Sequence, residues 1–67
     1  MKICYNKLWK LLIDKKMRRG KLRELTGISA ATMSKLSRGA NVNTDVLLRI
    51  CKVLDCDITE IMEIEPQ

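Results

Sequence analysis

The side chains able to do chemistry in this sequence are three thiols, eight carboxylates and thirteen cations. Nucleophilic catalysis by Cys4, Cys51 or Cys56 needs a neighbouring base, and the chain holds no histidine. A structural zinc site needs several close N or S ligands, and there is no C-x-x-C pair to begin one. No glycine-rich phosphate loop is present, and the carboxylates fall on helix caps and helix surfaces. Enzymatic activity, a metal and a cofactor are therefore not expected. Cys51 and Cys56 are expected as small apolar core residues of a reducing, cytoplasmic compartment, without a structural disulfide.

The cations carry more information, because they are unevenly placed. Residues 1–38 hold eleven Lys and Arg against Asp14 and Glu24, a balance of +9. Residues 39–67 hold Arg49 and Lys52 against six carboxylates, a balance of −4. A basic front half suits a partner with a phosphate backbone. It would serve equally as a solvated surface, so composition alone leaves both readings open. No long apolar run follows Lys2, and no stretch reaches the roughly 18 uncharged residues of a membrane span. Neither a signal peptide nor a membrane partner is expected.

The elements that must position these cations follow from apolar periodicity. With 67 residues there is room for one domain, over 1–67, and a small core. Few glycines and a lone terminal proline favour an all-α architecture. Tyr5, Leu8, Trp9, Leu12 and Met17 keep helical spacing and predict a first helix over 5–16, its stripe widened by Leu11 and Ile13. Tyr5 and Trp9, four apart, share a face and are expected to pack in the core. Residues 18–26 predict a short second helix that stops at Gly27, where a positive φ makes a tight turn. After Ile28, Ser29 is placed to cap a third helix over 30–37, with Met33 and Leu36 inward and Arg38-Gly39 closing it.

Residues 40–43 form a loop ending in Asn43, the expected cap of a fourth helix that buries Val46, Leu47, Ile50, Cys51 and Leu54. Asp55-Cys56 break that helix. Asp57-Ile58-Thr59-Glu60 has the spacing of an acidic capping box and predicts a short fifth helix bearing Ile58, Ile61 and Met62. The tail EIEPQ is expected to be frayed or extended. The fold class is thus all-α, compact and five-helix.

The stretch 19–38 reads as short helix, glycine turn, capped helix. That layout lets one helix lie across phosphates while the next enters a major groove. Leu22, Ile28, Met33 and Leu36 are the buried contacts that would fix the crossing angle.

With the words LRELTGISAATMSKLSRG and VLLRICKVLDCDITEIM, the chain resembles the lambda-repressor/Cro-type (XRE-like) helix-turn-helix domains, in particular their minimal single-domain members. The likeness covers residues 5–64. It implies double-stranded DNA as the partner. The family's second helix opens with a Thr-Gln that caps the helix and touches phosphate, and Arg18 and Arg19 stand there. Its recognition-helix positions fall on Ser29, Ala30, Ala31, Thr32 and Lys35, and its backbone-contacting loop on Arg38, Asn41 and Asn43. Arg23 replaces a small alanine packed against the recognition helix, so its stem must snorkel outward. Ala30 and Ala31 replace residues able to read base edges and offer only apolar contact, as with a thymine methyl. Direct readout is thereby assigned to Thr32 and Lys35, with DNA shape supplying part of the specificity.

These implications make the chain a sequence-specific regulator of transcription. It is expected to be a repressor that occupies an operator as a homodimer, with the third helix in the major groove and no small-molecule ligand. The alternative is a protein-interaction module, antitoxin-like or an adaptor, on the same fold.

Overall fold

The computed structural model describes residues 2–66; Met1 and Gln67 of the expected 1–67 domain lie outside the described residues. The order of elements is β1 (Lys2–Cys4), α1 (Asn6–Asp14), α2 (Arg19–Thr26), α3 (Ala30–Arg38), α4 (Thr44–Leu54), a 3₁₀ turn (Ile58–Glu60) and β2 (Glu63–Glu65). Four of the five expected helices are present within about two residues of their predicted ends.

Local chemistry explains where the helices start and stop. Lys16, at φ 56°, turns the chain out of α1, and the Met17 N–H donates back to the Leu12 carbonyl at 2.9 Å. Arg18 is extended and gives α2 no side-chain cap, as expected from the loss of the Thr-Gln pair. Gly27 ends α2 at φ 72°, and its N–H donates to Arg23 O at 2.9 Å. The Ser29 Oγ accepts from the Thr32 N–H at 3.1 Å and opens α3, which Gly39 closes at φ 73°. The Asn43 Oδ1 accepts from the Asp45 N–H at 2.9 Å and opens α4. Asp55, at φ 52°, terminates it.

The fifth helix is corrected to one 3₁₀ turn. Its capping box forms as expected: Glu60 Oε2 accepts from the Asp57 N–H, and Asp57 Oδ1 accepts from the Ile58 N–H, both at 2.9 Å. The turn does not propagate. Helix nucleation is unfavourable, and β-branched Ile58, Thr59 and Ile61 add little to repay it. Two residues on, the chain is instead taken up by strand pairing.

That pairing is the second departure from an all-α reading. β1 and β2 form an antiparallel pair with Lys2 opposite Glu65, Ile3 opposite Ile64 and Cys4 opposite Glu63. The tail is extended, as one of its two expectations had it, but it also closes the two ends of the chain on each other. An isolated two-stranded ribbon is marginal in water. Here it is anchored by buried Cys4 and Tyr5 on one side and buried Ile61 on the other.

One core holds these elements together. Leu8 and Leu12 of α1, Leu22 of α2, Ile28 in the turn, Leu36 of α3 and Leu47, Ile50 and Leu54 of α4 are all buried, with Tyr5 and Ile61. Trp9, Met33, Cys51, Ile58 and Met62 pack against it while only partly buried. Ile13 does not widen the α1 stripe as expected: it is 74% exposed. At about 100° per residue it is turned well away from the Leu8–Leu12 line. Buried Thr26 donates its hydroxyl to the Leu22 carbonyl at 2.7 Å, which keeps a polar side chain satisfied beneath the turn.

Candidate nucleic-acid interface

The α2–Gly27–α3 unit decides which side chains point outward. Leu22, Ile28 and Leu36 are buried at 0%, 6% and 0% exposure, so the two helices are fixed to the core on one side. Arg23 is exposed, and its snorkelling leaves this packing closed. With Leu36 inward, Ala30, Ala31, Lys35 and Arg38 are exposed and Thr32 is half-buried. No carboxylate occurs in α3. Its solvent face is therefore small and apolar at the N-terminal end and cationic at the other, with nothing on the helix itself to repel phosphate.

The expected site residues are held in different ways. Ser29 and Thr32 are committed to each other, since their hydroxyl oxygens lie 3.0 Å apart while Ser29 Oγ also caps α3. Either hydroxyl can be the donor in that bond, so the pair keeps acceptor capacity toward a base edge. The Lys35 side chain makes no hydrogen bond or ion pair among the described residues, and its ammonium is free to reach outward. Ala30 and Ala31 provide smooth surface on the first turn. Asn43 spends its Oδ1 on the α4 cap, which leaves its amide N–H groups as donors at the end of the loop. Asn41 is exposed in that loop, and Arg38 stands at its start as the last residue of α3.

Arg18 and Arg19 part company. Arg18 is exposed at the N-cap of α2. The Arg19 guanidinium lies 3.8 Å over the Trp9 ring and donates through NH1 to Ser37 Oγ at 3.0 Å. It thus joins α1, the start of α2 and the end of α3. Trp9 accordingly packs in two directions, its body on the core and one ring face under a cation. No pattern of residue types signals this contact, because its members sit on three helices and share no period.

Other reactive groups lie on the remaining elements, and Cys4, Tyr5 and Glu65 border a hollow beside Ser37, Arg38 and Gly39 at the end of α3. All three cysteines are free thiols. Burial, and then the adjacent Cys51, pushes the Cys56 thiol up to about 11, so it stays protonated at neutral pH. Burial also raises the Tyr5 phenol above its ordinary range. Cys4, Glu63 and Glu65 bring possible metal-ligand atoms within 4.8 Å of one another on the strand pair. The cationic Lys2 is paired with Glu65 in the register, which opposes a second cation there. No helix among the described residues is long and apolar enough to cross a membrane.

Comparison with known proteins agrees with this geometry. The family model for Cro/C1-type HTH DNA-binding domains matches residues 7–67. A crystal structure of the transcriptional regulator VanUg superposes with a TM-score of 0.96 at 50% sequence identity, covering 98% of this chain and 88% of that one. No curated protein sequence matches.

Proposed function

Because the chain belongs to the Cro/C1-type helix-turn-helix DNA-binding domains, we propose that it is a transcription regulator that represses by occupying an operator, bound as a homodimer with α3 in the major groove. The observation that carries this reading is the outer face of α3. It is free of carboxylates, it is held outward by buried Leu36, and it ends in exposed Arg38, with exposed Asn41 and Asn43 in the following loop. The likeness to a transcriptional regulator at 50% identity supports it.

Each group has a role in that complex. Lys35 serves guanine O6 and N7, and Thr32 contacts a base edge while bonded to Ser29. Ala30 and Ala31 let the helix approach closely and touch thymine methyls. Arg18, Arg38, Asn41 and the Asn43 amide hold phosphates and set the register. Arg19 sets the angle of α3 from behind and offers its remaining N–H donors to phosphate. Two such domains double a small number of base contacts over half-sites about 34 Å apart.

Selection from a random duplex library, followed by anisotropy at several salt concentrations, tests the reading. A two-fold-symmetric site bound at least about 10³ more tightly than scrambled DNA is expected. Weak binding that ignores sequence and collapses with salt would overturn it. In that event the exposed Ala30–Ala31 surface becomes the evidence for the second reading, a protein-interaction module.

A further inference from the structure

Two of the three thiols meet where α4 ends. Asp55 leaves the helix in the left-handed region at φ 52°, and its N–H donates to the Cys51 carbonyl. The Cys56 N–H donates to the same carbonyl at 3.0 Å. That second bond is the one that closes a Schellman motif, in which the side chains of these two positions commonly touch. They do so here: after burial, the adjacent Cys51 has the largest influence on the Cys56 thiol. The usual apolar contact at such a helix end is thus made by two sulfurs.

The backbone already holds the pair at disulfide range. One N–H···O=C bond across a helical turn sets the two α-carbons about 6 Å apart. A disulfide spans about 4.4–6.8 Å between α-carbons. Cys51 and Cys56 are both partly exposed, so a small reagent reaches them, whereas Cys4 is buried in β1 opposite Glu63. All three are free thiols in this structure, as a reducing compartment would keep them.

We propose that Cys51 and Cys56 are an oxidative modification site, a reversible dithiol pair that a low-molecular-weight disulfide converts to a Cys51–Cys56 bond across the end of α4. Cys51 is the point of entry, because Cys56 is held protonated by burial, by Cys51 and by Glu60 of the 3₁₀ turn, against a smaller opposing effect of Lys15 after α1. The Cys51 thiolate attacks one sulfur of the small disulfide, a mixed disulfide forms, and one small thiolate leaves. Cys56 then releases its proton to solvent and attacks the Cys51 sulfur, expelling the second small thiolate. Two protein thiols and one small disulfide become one protein disulfide and two small thiols. The closed bond fixes the left-handed turn at Asp55, and so stiffens the segment that leads from α4 through the 3₁₀ turn to β2.

Equilibration of the full chain with mixtures of reduced and oxidised glutathione tests it. Oxidation is expected to lower the mass by two hydrogen atoms. Trypsin cuts after Lys52, between the two cysteines, so the bond should appear as two linked peptides, with Cys4 still a thiol. The equilibrium constant for closing the bond is expected to be at least about tenfold larger in the native protein than in the urea-unfolded chain. The thermodynamic cycle then requires the oxidised protein to unfold at a higher urea concentration than the reduced one. Cys56→Ser should stop at the mixed disulfide on Cys51, and dithiothreitol should return the wild type to its reduced state. Bonds that include Cys4, disulfide-linked dimers, a wild type that stops at the mixed disulfide, or a constant no larger in the native than in the unfolded chain would each overturn the proposal. The comparison of native with unfolded protein uses the wild type alone, so it decides the matter even if Cys56→Ser fails to fold.

Discussion

The Arg19 guanidinium lies over the face of Trp9 at 3.8 Å while its NH1 donates to Ser37 Oγ at 3.0 Å. A cation on a tryptophan face contributes about 0.5–2 kcal/mol, depending on desolvation. Here the contact also couples three helices, so its loss moves the end of α3 relative to α2. Trp9 is the chain's one tryptophan, which makes its emission a direct report on the contact. Arg19→Gln is expected to change that emission and to lower stability by about 1 kcal/mol. Arg18→Gln should leave the emission unchanged. In salt titrations of DNA binding, Arg18→Gln should lower the slope by about one, as loss of one phosphate contact does. An unchanged emission spectrum in Arg19→Gln would contradict the clamp.

Lys35 is exposed on α3 one turn before Arg38, at a position the family likeness assigns to base contact, which gives its substitution a distinct signature. Lys35→Ala is expected to cost about 1–3 kcal/mol of discrimination at one base position of each half-site, with the others retained. The check is repeated selection with the variant. Uniform weakening at every position, with the salt slope reduced by about one, would instead make Lys35 a phosphate ligand.

How far these features could be read from the sequence depended on the range of the interaction behind them. Gly27, Ser29, Asn43 and the Asp57–Glu60 box bond to backbone within a few residues, so their roles followed from local spacing. The outward face of α3 was legible for the same reason: once Ser29 caps the helix and Leu36 is inward, Ala30, Ala31 and Lys35 must point away. Pairing of Lys2–Cys4 with Glu63–Glu65 was not legible, because three-residue strands at opposite ends of the chain leave no periodic signal. That pairing also decided where the last helix stopped. Ile13 was misplaced because an apolar residue next to a stripe resembles part of it, although the helix turns it to solvent. The bond between Ser29 and Thr32 and the Arg19–Trp9 contact depend on rotamers that no pattern of residue types specifies.

Gly27 joins the two helices in the left-handed region, at φ 72°. A Cβ added there would meet nothing within 4 Å, so the cost of Gly27→Ala is backbone strain alone. That strain is about 1–2 kcal/mol for an ordinary residue. The melting temperature is expected to fall by about 4–8 °C per kcal/mol in a domain of this size. Gly27→Asn should lose less, because asparagine tolerates this region. A melt of Gly27→Ala matching wild type would mean that the turn relaxes out of the left-handed region.

Asp55 offers the opposite opportunity. It ends α4 at φ 52°, a conformation for which glycine has no Cβ penalty. Asp55→Gly relieves that strain and loses some of the gain to the greater freedom of glycine in the unfolded chain. A net stabilisation of about 0.5 kcal/mol is expected, read as a higher melting temperature with the denaturant slope unchanged. Destabilisation would show that the Asp55 carboxylate has a compensating role at the helix end.

Stability at high pH should report on Cys56. Its thiol has an ordinary value of 9.0 and is pushed up to about 11 in the fold, first by burial and then by Cys51. Between those values the unfolded chain has released the proton and the native chain still holds it, so fewer protons are bound in the unfolded state. Stability therefore falls as pH rises through this window, and below pH 9 the group adds no pH dependence. Buried Tyr5, whose phenol is raised from 10.0, acts in the same direction. Cys56→Ala should flatten the decline by the share that Cys56 carries and leave the Tyr5 share in place. The same shift lowers the thiolate fraction at pH 8 on the order of a hundredfold, and alkylation by iodoacetamide follows the thiolate. Peptide mapping after brief treatment of the native protein should find Cys56 unmodified while the urea-unfolded protein is labelled there at once. Rapid labelling of native Cys56 would mean that partial burial and its neighbours do not hold the thiol protonated.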